Sequence, residues 1–348
     1  MKAPSFRDRE KERYGKVKKD KDLFSEEAQK EGQYNKIKRE FCLADEYSHE
    51  NLYRGIRDSA ITYFLIRGIP WHDGLKGAHL PSNHLCCSQS CCVNFLFPLV
   101  KRPDLVKSFF GFYFPGIIEA LPIDADKPLS DGTLPYIAFE WTGNPDRDYL
   151  KEGERKGRKP TRGANFTSAD FIVRFREKDG RIHIVLGEWK YTEEYGRAYK
   201  GSGRDGQVRR NTYTQFFKKK DGVFSANGDL DKLYDGLFYE PFYQMMRLQL
   251  LAQEMEDSEE KEMDADIVSV LHVSPEANTG LRKNVTSACL KDKFPGKGLL
   301  EIWEELVPPD RFKSISTEDP LNRIVNTPAS DPEWVNYLKK RYGWNYPG

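Results

Sequence analysis

This 348-residue chain has no apolar run long enough to span a membrane, and its first residues, Met1 to Tyr14, are charged and lack the apolar stretch of an export signal. The expected location is the cytoplasm, with no membrane partner. The chain also lacks an excess of either charge: 55 Lys and Arg stand against 54 Asp and Glu, a formal net charge of +1. Nothing global drives it toward nucleic acid, so any such contact has to come from local basic patches. Cysteine is scarce. Four of the six crowd into Cys86-Cys87-Ser88-Gln89-Ser90-Cys91-Cys92, without the paired Cys-x-x-Cys spacing of a zinc site. The run continues as Val93-Asn94-Phe95-Leu96-Phe97 and reads as a buried helix using cysteine as a small apolar residue. Aromatics are plentiful, and the length suits one large folded domain with extensions, or two domains. There is no internal repeat.

The most informative segment is a hairpin. Ala169-Asp170-Phe171-Ile172-Val173-Arg174-Phe175 and Arg181-Ile182-His183-Ile184-Val185-Leu186-Gly187-Glu188-Trp189-Lys190 are rich in β-branched and aromatic residues, and Lys178-Asp179-Gly180 lies between them. Side chains alternate along a strand, so Glu188 and Lys190 share a face and Trp189 takes the other. A two-residue Asp179-Gly180 turn would set Asp170 opposite Trp189. A three-residue loop with Gly180 left-handed sets it opposite Glu188, and that loop is the expectation. Two carboxylates and an ammonium then converge at one end of the hairpin. Asp170 and Glu188 suit Mg²⁺, with waters and a phosphate completing its shell, and Lys190 suits orienting an attacking water or stabilising phosphorane-like charge. The plain alternative is a strand end whose charges neutralise one another. Glu-x-Lys alone says little, since Glu259-Glu260-Lys261 fits it too.

Patterning predicts a helix over 51–68, a loop over 71–84, a helix near 85–108, a strand over 134–141, the hairpin, a helix from Pro241, a strand over 266–273, and helices at 299–306 and 334–342. Residues 1–45 read as a charged N-terminal arm, peripheral or partly disordered; 46–84 as a helical and loop extension; 85–275 as the core; and 276–348 as a helical C-terminal extension. The link between Glu188 and Pro241 is long, and 196–230 reads as a basic, glycine-rich, flexible insertion. It carries Arg197, Lys200, Arg204, Arg209 and Arg210, with Tyr199, Tyr213, Phe216 and Phe217 interleaved, the composition of a phosphate-gripping flap. A second basic run precedes the hairpin: Arg155, Lys156, Arg158, Lys159 and Arg162 against Glu152 and Glu154. Both runs lead to the Asp170–Glu188 hairpin, which favours a nucleic-acid phosphodiester as substrate.

Asp170 with Glu188-x-Lys190 resembles the active-site signature of the PD-(D/E)XK nuclease superfamily. Trp71-His72, Pro81-Ser82-Asn83-His84-Leu85, Ser88-Gln89, Val93-Asn94-Phe95, Phe139-Glu140-Trp141, Glu188-Trp189-Lys190-Tyr191-Thr192-Glu193 and Tyr239-Glu240-Pro241-Phe242-Tyr243-Gln244 are similar to text in a bacterial group of restriction-type endonucleases within it. The likeness covers about residues 45 to 275, and Ala169 stands where the superfamily's name has proline. The resemblance implies an α/β fold with an α-β-β-β-α-β core, a mixed sheet flanked by helices. It also implies Asp170 and Glu188 as metal ligands, Lys190 as the catalytic ammonium, Glu140 as a third carboxylate, and Gln244 as a glutamine near the site. Gln89 and Asn94 are auxiliary candidates, Glu193 a substitute acid, and His72 and His84 candidate phosphate contacts.

The expected activity is a Mg²⁺-dependent DNA endonuclease of restriction type, for which Mn²⁺ substitutes and double-stranded DNA is the substrate. Homodimerisation is the simplest way to cut both strands of a two-fold symmetric site. A repair, structure-selective or RNA nuclease remains an alternative, as does a non-catalytic nucleic-acid- or partner-binding module.

Overall fold

The computed structural model describes residues 3–74, 79–163 and 166–343. Gly77 of the expected loop and the Arg155 side chain of the first basic run lie outside the described residues. The N-terminal part carries a two-stranded ribbon, β1 (Gly32–Tyr34) and β2 (Ile37–Arg39). The main sheet contains β3 (Ile117–Leu121), β4 (Ile137–Trp141), β5 (Ala169–Glu177), β6 (Ile182–Trp189), β7 (Ile267–Ser274) and β8 (Phe312–Ser316). Its order is β3-β5-β6-β7-β8, with β4 also paired to β5. β3 ends with Leu121 opposite Arg174 and β4 begins with Ile137 opposite Val173, so the two form one interrupted strand along β5. β3, β4 and β6 run antiparallel to β5, whereas β6, β7 and β8 are mutually parallel, so the sheet is mixed.

Alternation along β6 explains the layers. Val185 and Trp189 enter one apolar core and Ile184 and Leu186 the other. On the first face the Ser88–Leu96 helix packs on β5 and β6, with Phe95 5.2 Å from the Trp189 ring. On the second the Phe242–Asp257 helix packs on β7. In chain order the central elements are therefore helix, strand (interrupted), strand, strand, helix, strand.

The expected 85–108 helix is two helices. Ser88–Leu96 passes through a 3₁₀ turn at Phe97–Leu99 and resumes as Pro103–Gly111. Pro103 has no N–H to donate and suits only a first helical turn, so the chain restarts there. Among the described residues no helix is long and apolar enough to cross a membrane.

The N-terminal residues are not an appendage. Tyr14 of the Phe6–Val17 helix is buried, accepts a 2.7 Å hydrogen bond from the Tyr191 hydroxyl, and lies 4.1 Å beneath the Arg341 guanidinium of the Pro332–Tyr342 helix. The C-terminal helix is just as integral: Trp334 Nε1 donates to the Asn94 carbonyl at 2.8 Å.

The 196–230 segment differs most from expectation. Gly203–Phe217 is a helix packed on Phe242–Asp257 rather than a flexible flap. Tyr213, Phe216 and Phe217 fall at i, i+3 and i+4 and are buried in the second core, and Phe217 stacks 4.7 Å from Phe224. Those aromatics anchor the segment to the fold, so they are not available to stack on bases.

Candidate active site

One row of side chains crosses the sheet. Phe171 pairs with Gly187, so Asp170 and Glu188 stand opposite each other one step further along. On the other side Asp170 falls opposite Glu140, between the pairs Phe139–Phe171 and Trp141–Ala169. Glu188 in turn pairs with His272 of β7. This register follows from the three-residue loop: Glu177 N–H donates to the Arg181 carbonyl at 2.9 Å and Gly180 sits at φ +88°. Gly187 has its own reason to be glycine, since a Cβ there would lie 1.9 Å from the Phe171 ring.

Glu140 adopts a left-handed backbone (φ +52°), which costs a non-glycine residue about 1–2 kcal/mol. The turn breaks the strand's alternation, placing Phe139 in one core and Trp141 in the other. The Glu140 carboxylate accepts 2.7 Å from Gln89 Nε2 and 3.3 Å from Ser168 Oγ. Gln89 also receives the His72 backbone N–H at 2.7 Å, tying the 71–74 loop to the same acid. Strain held at such a cluster is characteristic of functional sites.

Burial raises the Asp170 carboxyl well above its ordinary pKa, and Glu188 and Glu140 push it further, while Lys190 and a 2.6 Å hydrogen bond from the Trp189 N–H oppose them. Burial also raises Glu140, with Glu188 adding to it and His72, Gln89 and Ser168 acting against. Lys190 Nζ lies 2.7 Å from Glu188 Oε1. Burial disfavours its ammonium, but Glu188, Tyr195, Asp170 and Glu193 together outweigh that and hold it charged.

These groups line a cleft of about 320 Å³, together with His72, Gln89, Gln244 and Arg247. Gln244 accepts from the Tyr195 hydroxyl at 3.2 Å. Glu193 lines the cleft but is engaged by Ser88 Oγ and by the Tyr191 N–H. Asn94 and His84 lie elsewhere. Asn94 receives the Tyr53 N–H at 2.7 Å within the first core, and His84 packs under Tyr34 and Phe41, where burial lowers its pKa to about 4.

Of the basic candidates, Arg158, Lys159, Arg162, Arg197, Lys200, Arg204, Arg209 and Arg210 all lie outside the cleft lining. Arg197 and Arg204 are exposed. Arg158 is exposed too, 5.3 Å from the Phe166 ring at the cleft's rim. Lys159 pairs with Asp146 at 2.5 Å and Lys200 with Glu240 at 3.7 Å. Arg209 bonds the Lys200 carbonyl, and Arg210 is held by Asp235 and the Phe238 ring. Arg162 is the most committed: it pairs with buried Asp124 at 2.6 Å and lies 4.1 Å over Trp141.

Among the described residues no three His, Cys, Asp or Glu side chains are grouped closely enough to hold a metal ion as they stand. The donor chemistry nonetheless fits Mg²⁺, which is held through one or two carboxylates with waters and substrate phosphate. Asp170 and Glu188 are adjacent acids whose mutual repulsion a divalent cation would relieve.

Sequence patterning carries no expectation for Arg247, for Tyr195, or for the buried Glu152–Thr167 pair that contacts Arg247. The available signal for Arg247 was its place three residues after Gln244 on one helix face.

Along nearly its whole length the chain is matched as a restriction-type endonuclease. The match spans residues 9–343, and the chain belongs to the family described as restriction endonuclease associating with ARP. No curated protein and no solved structure matches it.

Proposed function

We propose that the chain is a Mg²⁺-dependent endonuclease with a PD-(D/E)XK-type core, hydrolysing double-stranded DNA in restriction-type defence. The observation that carries this reading is the row Glu140–Asp170–Glu188 with Lys190 beside it in one cleft. The helix–strand–strand–strand–helix–strand order around it supports the same assignment. Asp170 and Glu188 would hold the ion, and Mn²⁺ would substitute. When bound, Mg²⁺ supplies charge neutralisation at the phosphate and a water of lowered pKa.

The chain's own groups do the rest. Lys190, held charged by the acids around it, orients the attacking water and balances negative charge as it grows on the phosphorus oxygens. Glu140, fixed by Gln89 and Ser168, closes the acidic end of the row. Gln244 lines the same cleft. Arg158, Arg197 and Arg204, exposed on the same molecule, grip the backbone, and Lys159, Lys200, Arg209 and Arg210 add to the positive field. Two copies acting together would cut both strands.

The test is incubation of the purified protein with supercoiled and linear DNA in Mg²⁺, beside Glu188→Ala. Metal-dependent cutting abolished by the substitution upholds the reading. A Glu188→Ala protein that cuts as well as the parent refutes it.

A further inference from the structure

Among the described residues, four carboxylates line the cleft (Glu140, Asp170, Glu188 and Glu193) against two cationic side chains, Lys190 and Arg247. Lys190 is tied to Glu188 at 2.7 Å, so among the described residues Arg247 is the cleft cation not already paired to an acid within hydrogen-bond length. Arg247 Nε donates to Thr167 Oγ1 at 2.9 Å, and its nearest acid is Glu152, 3.6 Å away and beyond hydrogen-bond length. The Glu152 oxygens are already taken by the Thr167 N–H at 2.7 Å, the Thr167 hydroxyl at 2.8 Å and the Tyr213 hydroxyl. Glu152 and Thr167 are both buried, while the Arg247 side chain keeps 21% of its surface exposed. An arginine that lines the cleft is thus held at Nε by Thr167, with no outer nitrogen within hydrogen-bond length of its nearest acid. That fork matches two phosphate oxygens better than a lysine could.

We propose that Arg247 is a catalytic residue of this cleft, binding the non-bridging oxygens of the scissile phosphate, with Glu152 and Thr167 as the positioning residues that aim it. This rests on the nuclease reading above. Helix geometry supports it: Gln244, Arg247 and Leu248 fall at i, i+3 and i+4, so one face of Phe242–Asp257 lines this cleft. Arg247 also lies 5.4 Å from the Tyr243 ring, which supports the flat side of the guanidinium.

The experiment has two arms. In the first, single-turnover cleavage at saturating duplex DNA in Mg²⁺ is compared for the parent, Arg247→Met, Arg247→Lys and Glu152→Gln. Duplex affinity is measured separately by anisotropy with Ca²⁺ in place of Mg²⁺. Arg247→Met slows cleavage about 10²-fold or more with affinity little changed, and Arg247→Lys recovers only part of the rate. Glu152→Gln slows it roughly 10-fold at unchanged affinity, the mark of misplacement rather than lost binding. Parent-like cleavage by Arg247→Met overturns the proposal and leaves the nuclease reading standing.

The second arm uses the parent protein alone, so it does not depend on a variant folding. Inorganic phosphate with Mg²⁺ shields Arg247 from phenylglyoxal, read by mass spectrometry. If the parent cuts nothing yet phosphate shields Arg247, the nuclease reading falls and the anion site remains. If phosphate gives no shielding, the Arg247 assignment falls whatever the cleavage result.

Discussion

Asp170→Asn should stabilise the protein in the absence of metal while removing its activity. Asp170 stands between Glu140 and Glu188, and burial together with those neighbours raises its carboxyl well above the ordinary range. Opposed residues on adjacent strands have β-carbons about 5 Å apart. At an effective dielectric near 20, two unit charges at that distance repel by about 3 kcal/mol. Lys190 opposes the effect, which leaves about 1–2 kcal/mol to recover. Asparagine keeps an oxygen to accept the 2.6 Å bond from the Trp189 N–H, so little is lost in exchange. The gain corresponds to a rise in Tm of roughly 1–3 °C in EDTA.

The pH sign follows from the direction of the shift. With a folded pKa above the unfolded one, Asp170's contribution is full below its unfolded pKa of about 3.9 and is lost as pH rises through the folded value. The parent should therefore gain stability on mild acidification from neutrality, and Asp170→Asn should flatten that gain. Mg²⁺ should raise the parent's Tm and leave the variant's unchanged, because only the parent has the ligand pair. Differential scanning calorimetry in EDTA and in Mg²⁺ decides it. An Asp170→Asn protein that melts at or below the parent in EDTA would refute the account of the row as a repulsive acid cluster.

Lys190→Ala should lower the cleavage rate on the order of 10²-fold or more while leaving DNA affinity within a few-fold of the parent. Weakened binding with unchanged chemistry on bound DNA would contradict its assigned role. Gly187→Ala places a methyl group 1.9 Å from the Phe171 ring and should cost about 1–3 kcal/mol, read as a lower denaturation midpoint in urea at constant m. A parent-like midpoint would show that the ring can move aside.

The acid row was legible because loop length determines strand register. Lys178-Asp179-Gly180 ends in a residue free to be left-handed, and that one choice sets Asp170 opposite Glu188. The Phe242–Asp257 helix and β7 were legible because each is a nearly continuous run of buried residues marked by a proline, Pro241 before the helix and Pro275 after the strand. β3 and β8 were not. Each is five residues long with charge or hydroxyls on the outer face, and each is held by its neighbour strand rather than by its own pattern. The Gly203–Phe217 helix was hidden by its polar composition, although Tyr213, Phe216 and Phe217 had helical spacing. The left-handed turn at Glu140 and the bracing of Arg247 by Thr167 and Glu152 are tertiary facts, set by groups 28, 80 and 95 residues away in the chain.

Asp170 and Glu188 are proposed to hold one divalent ion between them. Crystals grown with Mn²⁺ and measured at its absorption edge test this directly, since anomalous scattering locates the ion without assuming its ligands. A peak bonded to both carboxylates at the end of the β5–β6 hairpin is expected, absent from Asp170→Asn crystals. A Mn²⁺-soaked crystal with that place empty, or with the ion bound only elsewhere, would contradict it.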